Sequence, residues 1–186
     1  MSFKIVVIGT SLGGLSALKI LLVNLPPDFP VPIAIVQHRH KESSNTLKEL
    51  LQESTSLLIR EVEDKDEILP KYIYLAPANY HLLVELGHFA LSTDELVSYA
   101  RPSIDVLFES AADIYTEQVI GVILTGANQD GVQGLKKIKA RGGLAIVQEP
   151  ATSESYVMPQ AAISAVAVDW ILTLKDIASQ MVKLCH

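Results

Sequence analysis

Two hydropathy patterns alternate along the chain. Apolar, strand-like runs occupy Lys4–Ile8, Pro32–Gln37, Tyr72–Leu75, Val119–Leu124 and Leu144–Gln148. Segments with apolar residues at helical spacing cover Leu12–Val23, Glu42–Gln52, Ser103–Tyr115, Gly131–Ala140 and Leu174–Leu184. Several of the runs are apolar throughout rather than at every second position, as a strand requires when both faces of a parallel sheet are covered. This β-α-β alternation predicts a doubly wound α/β fold, a mostly parallel sheet with helices on both faces. His81–Glu85 and His88–Leu91, joined through Leu86-Gly87, read as a β-hairpin added antiparallel at the sheet edge. Glu61 to Glu67 is a charged surface loop. No repeat, linker or low-complexity tail divides the chain, which predicts one domain over residues 1–186.

Composition narrows the function classes. The chain has 186 residues, 49% of them hydrophobic and 19% charged, with a formal net charge of −6. That suits a globular domain with a sizeable core. No basic stripe stands out, which leaves nucleic-acid binding without electrostatic support. The single cysteine, Cys185, excludes an intrachain disulfide and a cysteine-based metal site. The start lacks the pattern of a signal peptide. No stretch has the length and apolarity of a membrane span; Ala161 to Leu174 comes nearest, and Asp169 interrupts it. The expectation is a cytoplasmic protein without membrane insertion.

Sites in open α/β sheets form beyond the carboxyl ends of the strands, so the residues just after each run carry the chemical question. Ser11 follows the first, in the arrangement Gly9-Thr10-Ser11-Leu12-Gly13. That G-x-S-x-G spacing suits a nucleophile on a tight turn, with backbone N–H groups near the helix start facing a developing oxyanion. His38 ends the second run. Asp130 lies in the segment after the fourth, and Glu149 ends the last. Serine, histidine and an acid at one edge are the components of a hydrolytic triad. Each also has a plainer role: Ser11 as a helix N-cap, His38 as a satisfied strand-end histidine, Asp130 as a cap with Gln133 completing a capping box. His38 and His40 could form a metal pair, but no further ligand cluster accompanies them. His81 and His88 read as surface or site-wall residues. The glycine pattern matches neither a dinucleotide fingerprint nor a phosphate loop.

The same segments resemble the catalytic domain of the CheB family, the protein-glutamate methylesterases of bacterial chemotaxis. The resemblance covers nearly the whole chain. It is carried by Ile8 to Gly14, Val36-Gln37-His38, Tyr74-Leu75-Ala76-Pro77, Arg101 to Phe108, Gly121 to Gly126 with Asp130-Gly131, and Met158-Pro159-Gln160-Ala161-Ala162. It implies a catalytic triad of Ser11, His38 and Asp130, which selects Asp130 over Glu149. It further implies hydrolysis of glutamate γ-methyl esters on the cytoplasmic helices of chemoreceptors, with deamidation of receptor glutamines in some members and no metal or cofactor. Backbone N–H groups near Leu12 and Ala127 are the places to look for the oxyanion site.

The departures from the family pattern are local. Leu12 stands where a threonine is usual, Ala127 for a methionine and Asn128 for a glycine; Ala100 and Val157 replace a histidine and a glycine. Asparagine tolerates φ > 0 next best after glycine, so the loop at 128 is expected to keep its shape. The sequence begins at the first catalytic-domain strand, without the N-terminal receiver domain of many members, and reads as either a stand-alone esterase or a fragment of a longer protein; its regulation is expected from a separate partner or from receptor availability. Two alternatives accompany this reading. One is a hydrolase of the same fold acting on a different ester or amide. The other is a non-catalytic binding module in a chemosensory array.

Overall fold

A computed structural model describes residues 2–39 and 46–186. Its centre is β1 (Ile5–Thr10), buried along its whole length. β2 (Ile33–Gln37) and β7 (Val119–Ile123) flank it, both parallel to it. Beyond β2 lie β4 (Tyr72–Leu75) and then β3 (Leu58–Glu61). Beyond β7 lie β8 (Leu144–Gln148) and then β9 (Trp170–Leu172). The seven strands are all parallel, in the order β3-β4-β2-β1-β7-β8-β9.

Parallel strands need crossovers, and here these are mostly helices that cover both faces. One face carries α1 (Gly14–Val23), α2 (Thr46–Gln52) and α6 (Leu174–Cys185), around a core that includes Leu18, Leu21, Phe29, Leu51 and Met181. The other carries α3 (Ile104–Tyr115), α4 (Val132–Ala140) and α5 (Val157–Ala165), around Ile104, Phe108, Leu135 and Met158. The alternation read from the sequence is therefore the observed architecture. The predicted helix Glu42–Gln52 is seen as α2 from Thr46, and its first positions, 42 to 45, lie outside the described residues.

The hairpin requires a correction. β5 (His81–Glu85) and β6 (His88–Ser92) pair antiparallel but form a separate two-stranded sheet. Both edges of the main sheet are already taken by β3 and β9. The hairpin instead lays Leu82, Val84 and Phe89 into the α3-side core. The Ser110 hydroxyl of α3 accepts the Val84 N–H at 2.9 Å, and the Tyr115 hydroxyl accepts the Gly87 N–H at 3.1 Å.

Helices α3 and α4 cross closely because α4 carries a glycine at the crossing. A Cβ on Gly134 would sit 2.4 Å from Phe108 Cβ and 3.2 Å from the Asp105 backbone. Phe108 is fully buried at this contact. Phe108→Ala is expected to cost about 3–5 kcal/mol of stability, read as a lower urea midpoint with an unchanged slope.

Candidate active site

The chain leaves β1 for β2 on one side, and later returns on the other side of β1 as β7. Outside the carboxyl ends of these three strands the sheet opens a crevice. Short bonds fix the strand ends against one another. The Ser11 N–H donates to Thr125 O at 3.0 Å and the His38 N–H to Thr10 O at 3.1 Å. The Thr10 hydroxyl donates to Thr125 O at 2.7 Å. Gln37 Nε2 donates to Ser11 O at 2.9 Å and lies 3.1 Å from His38 O, tying the backbones of both residues to one amide.

Ser11 lies on the turn into α1. Gly13 makes that turn with φ 80°, a left-handed conformation that costs glycine nothing. The Gly14 N–H closes the turn on Ser11 O at 2.9 Å. The Ser11 hydroxyl is not a helix cap. α1 begins without a side-chain cap, and the hydroxyl's neighbour is Asn128 Nδ2 at 3.5 Å. Among the described residues, the backbone N–H groups of Leu12 and Ala127 find no acceptor within the chain.

Asp130 is completely buried, and its carboxylate accepts four hydrogen bonds. Oδ2 takes His38 Nε2 at 2.7 Å and the Ile104 N–H at 2.6 Å. Oδ1 takes the Ser103 hydroxyl at 2.9 Å and the Asp105 N–H at 3.0 Å. Asp130 does not cap its own helix. It receives the first two N–H groups of α3 instead. Asp105, inside the first turn of α3, returns the arrangement: its Oδ1 accepts the Gly131 N–H at 3.0 Å and the Gly134 N–H at 2.7 Å at the start of α4. Sequence reasoning missed Asp105, because its partners are distant in the chain and no local capping pattern marks it.

The crevice continues into a cleft of about 790 Å³, lined by Ser11, Leu12, His38, Arg39, Arg101 and Asn128 among others. Ser11, His38 and Asp130 thus meet at one place. No hydrogen bond or ion pair among the described residues joins Glu149 to them. His81 is buried rather than superficial: Nε2 bonds Glu95 O at 2.8 Å, and Nδ1 accepts the Ser103 N–H at 3.2 Å. His88 is half-buried on the hairpin, 2.6 Å from Glu85. His40 lies outside the described residues; among the described residues no cluster of three metal-ligating side chains occurs. Asn128 departs from expectation as well. It does not adopt positive φ; its Oδ1 accepts the Asp130 N–H at 3.0 Å, and this side-chain bond shapes the loop.

Burial alone would push the Asp130 carboxyl up. The hydrogen bonds from His38 and from the Asp105 and Ile104 N–H groups, with the imidazole's charge, outweigh it, and the group sits below the usual carboxylate range. Asp105 goes the other way. Burial, reinforced by the nearby charges of Asp130 and Glu109, outweighs its bonds from Gly134 and Gly131 and pushes it up to about 6.

Comparison with known proteins finds relatives along nearly the whole chain. A family profile described as CheB methylesterase matches residues 6–181. A protein of Leptospira interrogans (serovar copenhageni, strain Fiocruz L1-130) is 49% identical over 185 residues, spanning 99% of this chain and 96% of its own length. Its name gives protein-glutamate methylesterase/protein-glutamine glutaminase as a provisional assignment. A Thermotoga maritima protein named protein-glutamate methylesterase/protein-glutamine glutaminase is 35% identical; the match spans 99% of this chain and 55% of that protein. The crystal structure of the Thermotoga maritima CheB methylesterase catalytic domain superposes with a TM-score of 0.94 at 35% identity, covering 99% of this chain and all of that one.

The raised Asp105 gives a test of the reciprocal capping. An acid that titrates higher folded than unfolded binds extra protons in the native state, so its contribution falls as pH rises from about 4 to about 6. Asp105→Asn keeps an oxygen for Gly131 and Gly134 and removes that slope. Its stability relative to the unsubstituted protein should rise between pH 4.5 and pH 7.5, while Asp105→Ala should lose about 1–2 kcal/mol with the cap. Urea titrations at the two pH values decide it.

Proposed function

The chain belongs to the CheB methylesterase family, and from that premise we propose that it is a serine hydrolase of methyl-accepting chemoreceptors. It removes methyl groups from receptor glutamate γ-methyl esters, giving glutamate and methanol, and it deamidates receptor glutamines by the same chemistry. The observation that carries this reading is the pairing of buried Asp130 with His38 beside Ser11 at the ends of β1, β2 and β7.

Asp130, held ionised, fixes His38 with its hydrogen on Nε2, so Nδ1 is the basic nitrogen on the Ser11 side. Nδ1 takes the Ser11 proton as Oγ bonds to the ester carbonyl carbon. The N–H groups of Leu12 and Ala127 receive the charge that forms on the carbonyl oxygen. The C–O bond to methoxide then breaks, and Nδ1 returns the proton so that methanol leaves. Water attacks the acyl-enzyme with Nδ1 again as base, freeing the glutamate side chain and Ser11. These steps use only side chains and backbone N–H groups. The partner is the cytoplasmic helical region of the receptor, which places the enzyme in the cytoplasm. Among the described residues no helix is long and apolar enough to cross a membrane. Residues 1–186 act as one catalytic unit, whose access to receptor is set by a separate regulator.

One observation favours a second reading. Leu12, 55% exposed, makes the cleft wall beside Ser11 apolar, which suits an ester or amide with a different acyl group.

Methanol release from a methylated receptor separates these readings. Ser11→Ala and His38→Ala should each lose activity by about 10⁶-fold, and Asp130→Asn by about 10⁴-fold, because Asp130 orients the base and does not react. Circular dichroism should show all three folded. Substantial release by Ser11→Ala would sink the mechanism. A wild-type protein that labels with a fluorophosphonate but releases no methanol would point to the different substrate.

A further inference from the structure

Asn128 stands between the two groups that must exchange a proton. Its amide orientation is fixed by the loop: Oδ1 accepts the Asp130 N–H at 3.0 Å, so Nδ2 points the other way. There Nδ2 lies 3.1 Å from His38 Nδ1 and 3.5 Å from Ser11 Oγ. The imidazole is fixed from its far side, where Nε2 gives its hydrogen to the Asp130 carboxylate at 2.7 Å. Nδ1 therefore holds the ring's only lone pair, and Asn128 donates into it. Among the described residues, no hydrogen bond joins Ser11 Oγ to His38 directly.

Resting on the serine-hydrolase reading, we propose that Asn128 keeps Ser11 and His38 uncoupled until substrate enters, when Nδ2 exchanges His38 Nδ1 for the substrate carbonyl oxygen as its acceptor while Oδ1 stays on the Asp130 N–H. Asn128 lines the cleft, so an incoming carbonyl meets the amide beside Ser11. One acceptor is exchanged for another, and the amide keeps a partner throughout. The Ser11 hydroxyl then becomes the donor to Nδ1. A small residue at 128 would leave the pair permanently coupled. The asparagine makes coupling depend on occupancy of the cleft.

Among the described residues, the charged groups around the imidazole are few. Asp130 is in contact with it and Asp105 lies behind Asp130. Arg39, next in the chain, is paired with Glu61 at 2.8 Å, and Arg101 lines the same cleft. Asn128→Ser keeps an oxygen for the Asp130 N–H, but its shorter side chain carries no group out to Nδ1. Asn128→Asp keeps the loop bond and presents a carboxylate oxygen to the ring instead.

The test is the rate at which a fluorophosphonate labels Ser11 across pH 5 to 9, with Ser11→Ala as the blank. Asn128→Ser should label about two- to tenfold faster than wild type, the worth of one ordinary hydrogen bond. In Asn128→Asp the acid limb should move up by about one pH unit, since a nearby negative charge favours the imidazolium. Nitrogen-15 spectra of the wild type should show His38 with its hydrogen on Nε2, a readout that needs no variant to fold. Equal labelling of wild type and Asn128→Ser, or a wild-type His38 hydrogen on Nδ1, would overturn this inference and leave Ser11 as the nucleophile. No labelling of folded wild type or of any variant would remove the serine-hydrolase reading, and this inference with it.

Discussion

A carboxylate without access to water governs the arrangement of this molecule. Ionised Asp130 would cost several kcal/mol in the interior if left unpaired, and no solvent reaches it. Its four donors come from two places far apart in sequence: the end of β2, through His38, and the start of α3, through Ser103, Ile104 and Asp105. Satisfying one charge therefore docks α3 against the loop after β7 and aims the imidazole in the same step. The positive end of the α3 dipole adds to the effect, since two free N–H groups at a helix start form a ready anion site. Asp105 completes the device by serving α4 as Asp130 serves α3. Two helices exchange caps across the α3–α4 contact, and neither begins with a cap of its own.

This constraint works because the sheet has no other place for polar chemistry. β1 and β7 are buried from end to end, with helices over both faces. A polar side chain in mid-strand would have no partner there, whereas one just past the last ladder bond reaches the crevice. The ladder also sets the precision. Thr10 pairs with Gln37, and Gly9 with Ile123, so the residues that follow leave the sheet at matched heights. The bonds from Thr10, Ser11 and His38 to neighbouring strand ends extend that register one step beyond the sheet.

Legibility in the sequence follows the same division. The central strands could be read because two-sided burial demands unbroken apolar runs, and the helices because they show an apolar stripe. The edges could not. β3, Leu58-Ile59-Arg60-Glu61, offers one short alternation, and β9 has three residues. α5 carries Pro159 in its first turn, where a proline is tolerated but reads as a breaker. It also starts without a polar cap. Ser11, His38 and Asp130 were visible because strand ends concentrate chemistry. Asp105 and Gln37 were not, since their work is to satisfy backbone groups that only the tertiary fold brings near.

Position 128 shows why residue type and residue role come apart. From sequence, an asparagine in place of a glycine asks only whether the backbone can still take positive φ. In the fold that question does not arise, because the backbone at 128 is not at positive φ and the side chain bonds the Asp130 N–H. The substitution thereby moves from backbone conformation to the chemistry of the cleft. The rest of the cleft wall has comparable freedom. Leu96 and Tyr99 are 55% and 99% exposed, and Arg101 is held by neutral acceptors, Asn79 Oδ1 at 2.7 Å and the carbonyls of Thr93 and Asp94 at 2.8 Å. None of these residues touches the Asp130 network. Changes in that wall, which includes Leu12 and Ala100, can alter what enters the cleft without disturbing how the imidazole is held.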